Sequence, residues 1–176
     1  FRYIRNSKIG IWGYGSISAN YIKRLLPFEP ESIMVNSRHG IFQDSIVKNA
    51  SLEEIFSTAD LIVLLAALTD ENIGRINKDY LKLMRPRAVL MNPGRGRLVD
   101  EKDLLEALAD GKFTFISDTF HREPLPDNDP LQSFPNVILT PHCAGSNTSC
   151  YVPAMLEEAS RFFDGTPLRY EVDSSR

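Results

Sequence analysis

An α/β fold is predicted, with a doubly wound parallel sheet lying between two helix layers. Three observations carry the prediction. The first is Lys8 to Ser18, where an apolar run of strand length, Ile9 to Trp12, turns on Gly13 and Gly15. The spacing then becomes helical through Ile17, Tyr21, Ile22, Leu25 and Leu26. Strand, glycine turn and helix form the first half of a dinucleotide-binding βαβ unit. The second observation is that strand and helix patterns alternate along the whole chain, which calls for parallel strands with crossover helices. The third is Asp60 to Leu65, continuously apolar after its first residue, as for a strand covered on both faces. Together they describe a Rossmann-like architecture.

The elements follow in order. Phe1 to Ser7 is a polar lead-in, and Leu26-Pro27 ends the first helix. Ser32 to Asn36 reads as the second strand, with Ser37-Arg38-His39-Gly40 as the loop at its carboxyl end. A short strand is placed near Ser45 to Lys48. Ser51-Leu-Glu-Glu54 is a capping box: Ser51 accepts from the third helical N–H and Glu54 reaches back. That helix runs to about Thr58. Asn77 caps a helix through Met84, and Ala88 to Asn92 is the next strand. Pro93-Gly94-Arg95-Gly96 is a tight turn. Asp100 caps a helix to Asp110, stopped by Gly111. Phe113 to Ser117 and Val137 to Thr140 are strands around a long proline-rich loop, Thr119 to Asn136. Ser146 to Asp164 is a final helix, stopped by Gly165.

With 176 residues the chain is long enough for one ordinary core. Its charged content of 24% and net charge of −3, without long single-sign blocks, argue against nucleic-acid or membrane-surface partners. The longest apolar run, Leu61 to Leu68, is too short to span a bilayer. Cys143 and Cys150 match no zinc or redox spacing, so no metal is expected. They read as a reduced, cytoplasmic pair, with Cys143 as a small apolar filler.

Three residues just past predicted strands suit one chemistry: Arg95, Glu123 and His142. Ligands of such sheets bind outside the carboxyl ends of the strands, so distant segments can converge there. An arginine fork can take a carboxylate bidentately. A histidine can move a proton near neutral pH, and a neighbouring glutamate would orient it. Taken singly, each also reads as an ordinary loop residue. His39 and His121 read as exposed loop histidines, and spacing alone does not choose between His121 and His142.

The ordered pieces Ile11-Trp-Gly-Tyr-Gly15, Ser51-Leu-Glu-Glu54, Leu68-Thr69, Met84-Arg-Pro86, Asn92 to Gly96, Leu98 to Glu101, Asp118, Glu123-Pro-Leu-Pro126 and Thr140-Pro-His142 are the next clue. Through them the chain resembles the cofactor-binding domain of the D-isomer-specific 2-hydroxyacid dehydrogenases, from Lys8 to about Asp173. The resemblance implies hydride transfer between NAD(P)H and a 2-keto acid or D-2-hydroxy acid, of glyoxylate/hydroxypyruvate reductase or phosphoglycerate dehydrogenase type. Arg95 would orient the substrate carboxylate, His142 would be the acid–base, and Glu123 its partner, which decides against His121. Cofactor contacts would come from Gly13, Tyr14, Gly15, Ser16 and Ile17, from Ser37 and Arg38, and from Ala66, Ala67, Pro93, Gly94, Asp118 and Gly145. Asp118 would hold the nicotinamide carboxamide.

Three departures stand out. Ser18 replaces the third glycine of the turn motif, for which a slight outward shift of the helix is expected. Ala67 stands where the family usually has proline. Ser37 replaces the acid that reads a ribose 2′-hydroxyl, so Ser37 and Arg38 favour NADP over NAD. The resemblance further implies a homodimer, and a substrate domain outside this sequence, with 1–7 as its lead-out, 8–166 as the dinucleotide domain and 167–176 as a tail. Turnover by the 176 residues alone is expected to be weak. A dinucleotide-sensing co-repressor on the same fold is the alternative. A methyl transferase with a similar glycine turn would leave Arg95, Glu123 and His142 unexplained.

Overall fold

The computed structural model describes residues 4–38, 45–145 and 148–171, the last stretch as backbone alone for 148–150. His39 and residues 172–176 lie outside the described residues, as does the side chain of Cys150. The chain divides into two compact units, 1–142 and 143–176.

The first unit holds a seven-stranded, all-parallel sheet. Its strands are β1 (Lys8–Trp12), β2 (Ser32–Asn36), β3 (Val47–Asn49), β4 (Leu61–Leu64), β5 (Val89–Asn92), β6 (Thr114–Ser117) and β7 (Val137–Leu139). Their spatial order is β3-β2-β1-β4-β5-β6-β7. The order reverses between β1 and β4, and that is where a doubly wound sheet opens a crevice for a ligand. The helices are α1 (Ser16–Leu25), α2 (Leu52–Thr58), α3 (Lys78–Leu81) and α4 (Glu101–Ala109).

Side-chain alternation divides the core between the two faces. Ile9 and Ile11 of β1 and Ile33 and Val35 of β2 point to one face, against Ile22 and Leu25 of α1. Trp12, Met34, Ile62 and Leu64 point to the other, against Ile55 and Phe56 of α2 and residues of α3 and α4. Gly10 is what lets α2 approach: a Cβ there would lie 2.3 Å from Cγ2 of Ile55. Its place in a strand reflects close packing and not a turn.

Several predicted boundaries move. β3 starts at Val47, two residues later than expected, because Ser45 and Ile46 form a turn. α3 ends at Leu81, not Met84, and Leu83 and Met84 close instead with three-residue bonds to Tyr80 and Leu81. The Ser51 cap forms, its hydroxyl accepting from the Glu54 N–H at 3.1 Å. Its return arm does not, because the Glu54 carboxylate takes Lys48 at 2.8 Å. Asp100 caps α4 through the Asp103 N–H, and Gly111 stops it at φ +62°.

The second unit is α5 (Thr148–Phe163) and the segment after it. Gly165, at φ +64°, ends the helix. The Glu158 carboxylate accepts the backbone N–H groups of Arg169 and Tyr170, which ties the following segment to the helix. No helix among the described residues is long and apolar enough to cross a membrane.

Candidate active site

A cleft of about 570 Å³ opens at the carboxyl ends of β1 and β4. Gly13 forms its floor at φ +99°, and a Cβ there would lie 2.5 Å from the Ala66 nitrogen. Any larger residue would therefore collide with backbone. Gly15 differs: a Cβ would meet no protein atom within 4 Å. It is the N-cap of α1 and supplies no side-chain cap to the first helical N–H groups. That is the arrangement a pyrophosphate fills, with the helix dipole favouring its charge. The residues present fit a dinucleotide.

Ser18 does not disturb this turn. Its side chain is 1% exposed, and its hydroxyl donates to the Gly13 carbonyl at 2.8 Å. Serine thus adds a bond that holds the loop to the helix.

Of the residues expected to hold cofactor, Gly13, Tyr14, Gly15, Ser37, Arg38, Ala66 and Ala67 line the cleft. Ser16, Ile17, Pro93, Gly94, Asp118 and Gly145 do not. Ile17 is 70% exposed on the first turn of α1. Gly94 serves the β5 turn: its N–H donates to the Asn92 side chain, which in turn donates to the Arg95 carbonyl. Asp118 is buried and accepts from the Thr140 hydroxyl at 2.5 Å, joining the ends of β6 and β7. Gly145 belongs to the second unit.

Sequence reasoning missed the far wall. Glu71, Asn72 and Arg75 also line the cleft, from a 3₁₀ turn over Asp70–Asn72 and the residues after it. Glu71 pairs with Arg38 at 3.1 Å. Thr69-x-x-Asn72 was the available signal, since the Asn72 side chain accepts the Thr69 N–H as in an N-terminal capping turn. Its shortness hid it.

The chemistry-bearing residues gather at the ends of β5, β6 and β7. His142 Nδ1 lies 2.6 Å from a Glu123 oxygen. The other Glu123 oxygen accepts the Phe120 N–H at 2.9 Å. That N–H, and then the His142 ring, hold the Glu123 carboxyl below the usual glutamate range, with a smaller pull from the charge of Arg95. Both side chains reach solvent, at 48% and 36% exposure. His142 sits at φ +50°, a conformation uncommon outside glycine, asparagine, aspartate and histidine. Arg95 is exposed, and its guanidinium donates to the Gly94 carbonyl at 2.7 Å. Glu123 and His142 thus meet, while Arg95 reaches Glu123 through its charge alone.

Two expectations are corrected. His121 is not a solvated loop histidine: Nε2 lies 2.9 Å from the Val99 carbonyl, and the side chain is 22% exposed. The loop folds back on Gly96, and this brings the ring onto the β5 turn. Cys143 is exposed rather than an apolar filler, because it follows the end of the sheet and not a core position. No cluster of three metal-ligating side chains occurs among the described residues.

Comparison with known proteins agrees with this geometry. The family model "D-isomer specific 2-hydroxyacid dehydrogenase, NAD binding domain" matches residues 1–144. A glyoxylate reductase of Pyrococcus furiosus is 38% identical over 157 residues, covering 87% of this chain and 46% of that protein. An NADPH-dependent glyoxylate/hydroxypyruvate reductase of Sinorhizobium meliloti, solved with NADP and sulfate, superposes with a TM-score of 0.82 at 28% identity, over 98% of this chain and 57% of the other. An NAD-dependent formate dehydrogenase of Staphylococcus aureus, solved with NAD, gives 0.82 at 27% identity, over 95% and 52%. The chain spans about half the length of the curated relatives it matches. With the parallel sheet, the cleft at its switch point and the family match all in agreement, the chain belongs to the D-isomer specific 2-hydroxyacid dehydrogenase family, as part of its NAD binding domain.

Proposed function

We propose that the protein containing this chain reduces a small 2-keto acid, of the glyoxylate or hydroxypyruvate kind, to the D-2-hydroxy acid. The observation that carries the reading is the Glu123–His142 pair at 2.6 Å, at the same sheet edge as Arg95. Residues of the β1–β4 cleft, Gly13, Tyr14 and Gly15 among them, would hold the nicotinamide cofactor, which would supply the hydride. Arg95 leaves its Gly94 carbonyl and takes the substrate carboxylate, which aims the keto group. Glu123 accepts from Nδ1 of His142, so Nε2 is the nitrogen that carries the proton to the forming alkoxide. Through that bond Glu123 fixes the orientation of the ring. The named relatives are reductases and dehydrogenases, which favours the enzyme over a dinucleotide-sensing co-repressor. The test is glyoxylate reduction by the full-length protein and by its H142A variant. Turnover lost with cofactor binding kept supports the reading, and no turnover by the wild type rejects it.

Asp118 holds the nicotinamide carboxamide in this reading, and Gly13, Tyr14 and Gly15 hold the pyrophosphate. Ser16, Ile17, Pro93, Gly94 and Gly145 are assigned to more distant contacts. NADP is favoured over NAD because Ser37, Arg38 and Arg75 line the cleft, with Glu71 as the opposing acid. Titration with NADPH and NADH, followed by quenching of the cleft-lining Trp12, measures the preference. A homodimer is supported by exposed Val152, Met155, Leu156, Phe162 and Phe163 along α5. Sedimentation at micromolar concentration tests it, and a monomer alone would overturn it. The acidic balance and sparse cysteines favour a cytoplasmic protein. The 1–7, 8–166 and 167–176 division, with substrate contacts from outside this sequence, completes the reading.

A further inference from the structure

We propose that His121 is a positioning residue that pins the turn carrying Arg95 to the loop carrying Glu123. The proposal rests on the assignment of those two residues as catalytic, and it adds a residue that neither touches substrate nor belongs to the Glu123–His142 pair.

The two segments come into close contact at Gly96. A Cβ on Gly96 would lie 2.2 Å from the Phe120 carbonyl carbon and 2.7 Å from the His121 nitrogen. Contact that close gives good packing but no bond between the segments. His121 supplies the bond. Its Nε2–H donates to the Val99 carbonyl at 2.9 Å, and Nδ1 stands 3.8 Å from the Glu101 carboxylate. Val99 is 1% exposed, so its carbonyl is a buried acceptor in need of a donor.

Val99 is rigidly linked to Arg95. Its N–H donates to the Gly96 carbonyl, and the Leu98 N–H donates to the Arg95 carbonyl, which also accepts from Asn92. On the other side, His121 adjoins Phe120, whose N–H holds one oxygen of Glu123 while His142 takes the other. The chain of contacts therefore runs from Arg95 through Val99, His121 and Phe120 to Glu123 and His142. Arg95 and His142 must act on opposite ends of one small molecule, so the spacing between their segments governs the rate. A misplacement of about 1 Å can cost on the order of 100-fold. Glu123 is exposed and lies in a long loop that is tied to the β5 end at its start, where the Asp118 N–H donates to the Asn92 carbonyl, and His121 adds a second tie nearer to Glu123.

The test compares H121L and H121Q in the full-length protein. Leucine keeps apolar bulk without a donor, and glutamine offers an N–H near the position of Nε2. H121L is expected to lower kcat/KM for glyoxylate roughly 10-fold. It is also expected to speed hydrogen exchange of the Phe120 amide while leaving the dissociation constant of NADPH within about twofold. H121Q is expected to recover both rate and protection. Unchanged exchange and rate in H121L, or an H121Q no better than H121L, would overturn the proposal. If the wild type does not reduce glyoxylate, the functional reading fails, and Phe120 exchange still decides whether the brace exists. If H121L does not fold, H121N, too short to reach the Val99 carbonyl, takes its place in the same measurements.

Discussion

The cleft between β1 and β4 is walled by backbone, whereas the Glu123–His142 pair is held by side chains on loops. In the cleft, Gly13 meets the Ala66 backbone, and Ile9, Ile11, Ile62 and Leu64 beneath are fully buried. At the pair, both side chains are more than a third exposed, and their partners are one backbone N–H and each other. A dinucleotide is recognised largely through phosphate charge, so fixed N–H groups and empty space suffice. A proton donor must approach a reacting atom and change its charge, so it sits at an accessible edge where a partner can be presented to it. The first site is preorganised by packing, and the second by hydrogen bonds.

Substitutions can break this separation. The largest expected effect is H142A in the full-length protein, where turnover of a 2-keto acid should fall roughly 10²–10⁴-fold. Binding of NADPH should stay within about twofold, because the pair holds substrate and not phosphate. A parallel loss of cofactor affinity, measured by Trp12 quenching, would mean that the two sites are not independent.

G13A acts on the other site. Its methyl must enter 2.5 Å from backbone that cannot swing away, at a φ of +99°. Cofactor affinity should drop by more than about 10-fold, with stability lower by on the order of 1–3 kcal/mol. G10A is the control. It also overpacks, against Ile55, and should cost a similar 1–3 kcal/mol by thermal unfolding while leaving cofactor affinity within about twofold.

R38A sharpens the question of cofactor preference. Loss of a charge-assisted contact to a 2′-phosphate should weaken NADPH by roughly 10-fold and NADH by little. Equal effects on the two would sink the phosphate reading, and the Arg38–Glu71 pair would then be a surface contact of small value.

The smallest effect concerns pH. The Glu123 carboxyl is held below its ordinary range, so its contribution to stability is complete above about pH 4.3, the unfolded value. It is lost as pH falls through the lower folded value. E123Q should therefore show a shallower loss of stability below about pH 4.3 than the wild type, as read by urea unfolding at a series of pH values. Matching slopes would show that the carboxylate gains nothing on folding.

The sheet was legible because its signals are local and strong. β2 falls on Ser32–Asn36 as its apolar run predicts, and Gly13 marks the turn because few other residues tolerate it. The Asp100 and Asn77 caps were equally plain, since a short polar side chain ahead of a helical pattern has one main use. The end of α3 and the start of β3 were not, because propensity at such places is outweighed by neighbouring packing. Glu71 and Arg75 were missed because a three-residue turn leaves no periodicity to read.

The sequence by itself determined the order of strands and helices, the glycine turn, and the residue types from which the site is built. Apolar periodicity and backbone sterics act over a few residues, so they are written in the chain. The family resemblance implied the Glu123–His142 contact, and only the tertiary structure decided that Arg38 faces Glu71 and that His121 docks on Val99. Each of these joins residues 19 or more positions apart. Such contacts depend on how loops fold back over the finished sheet, and no spacing rule within one segment encodes that.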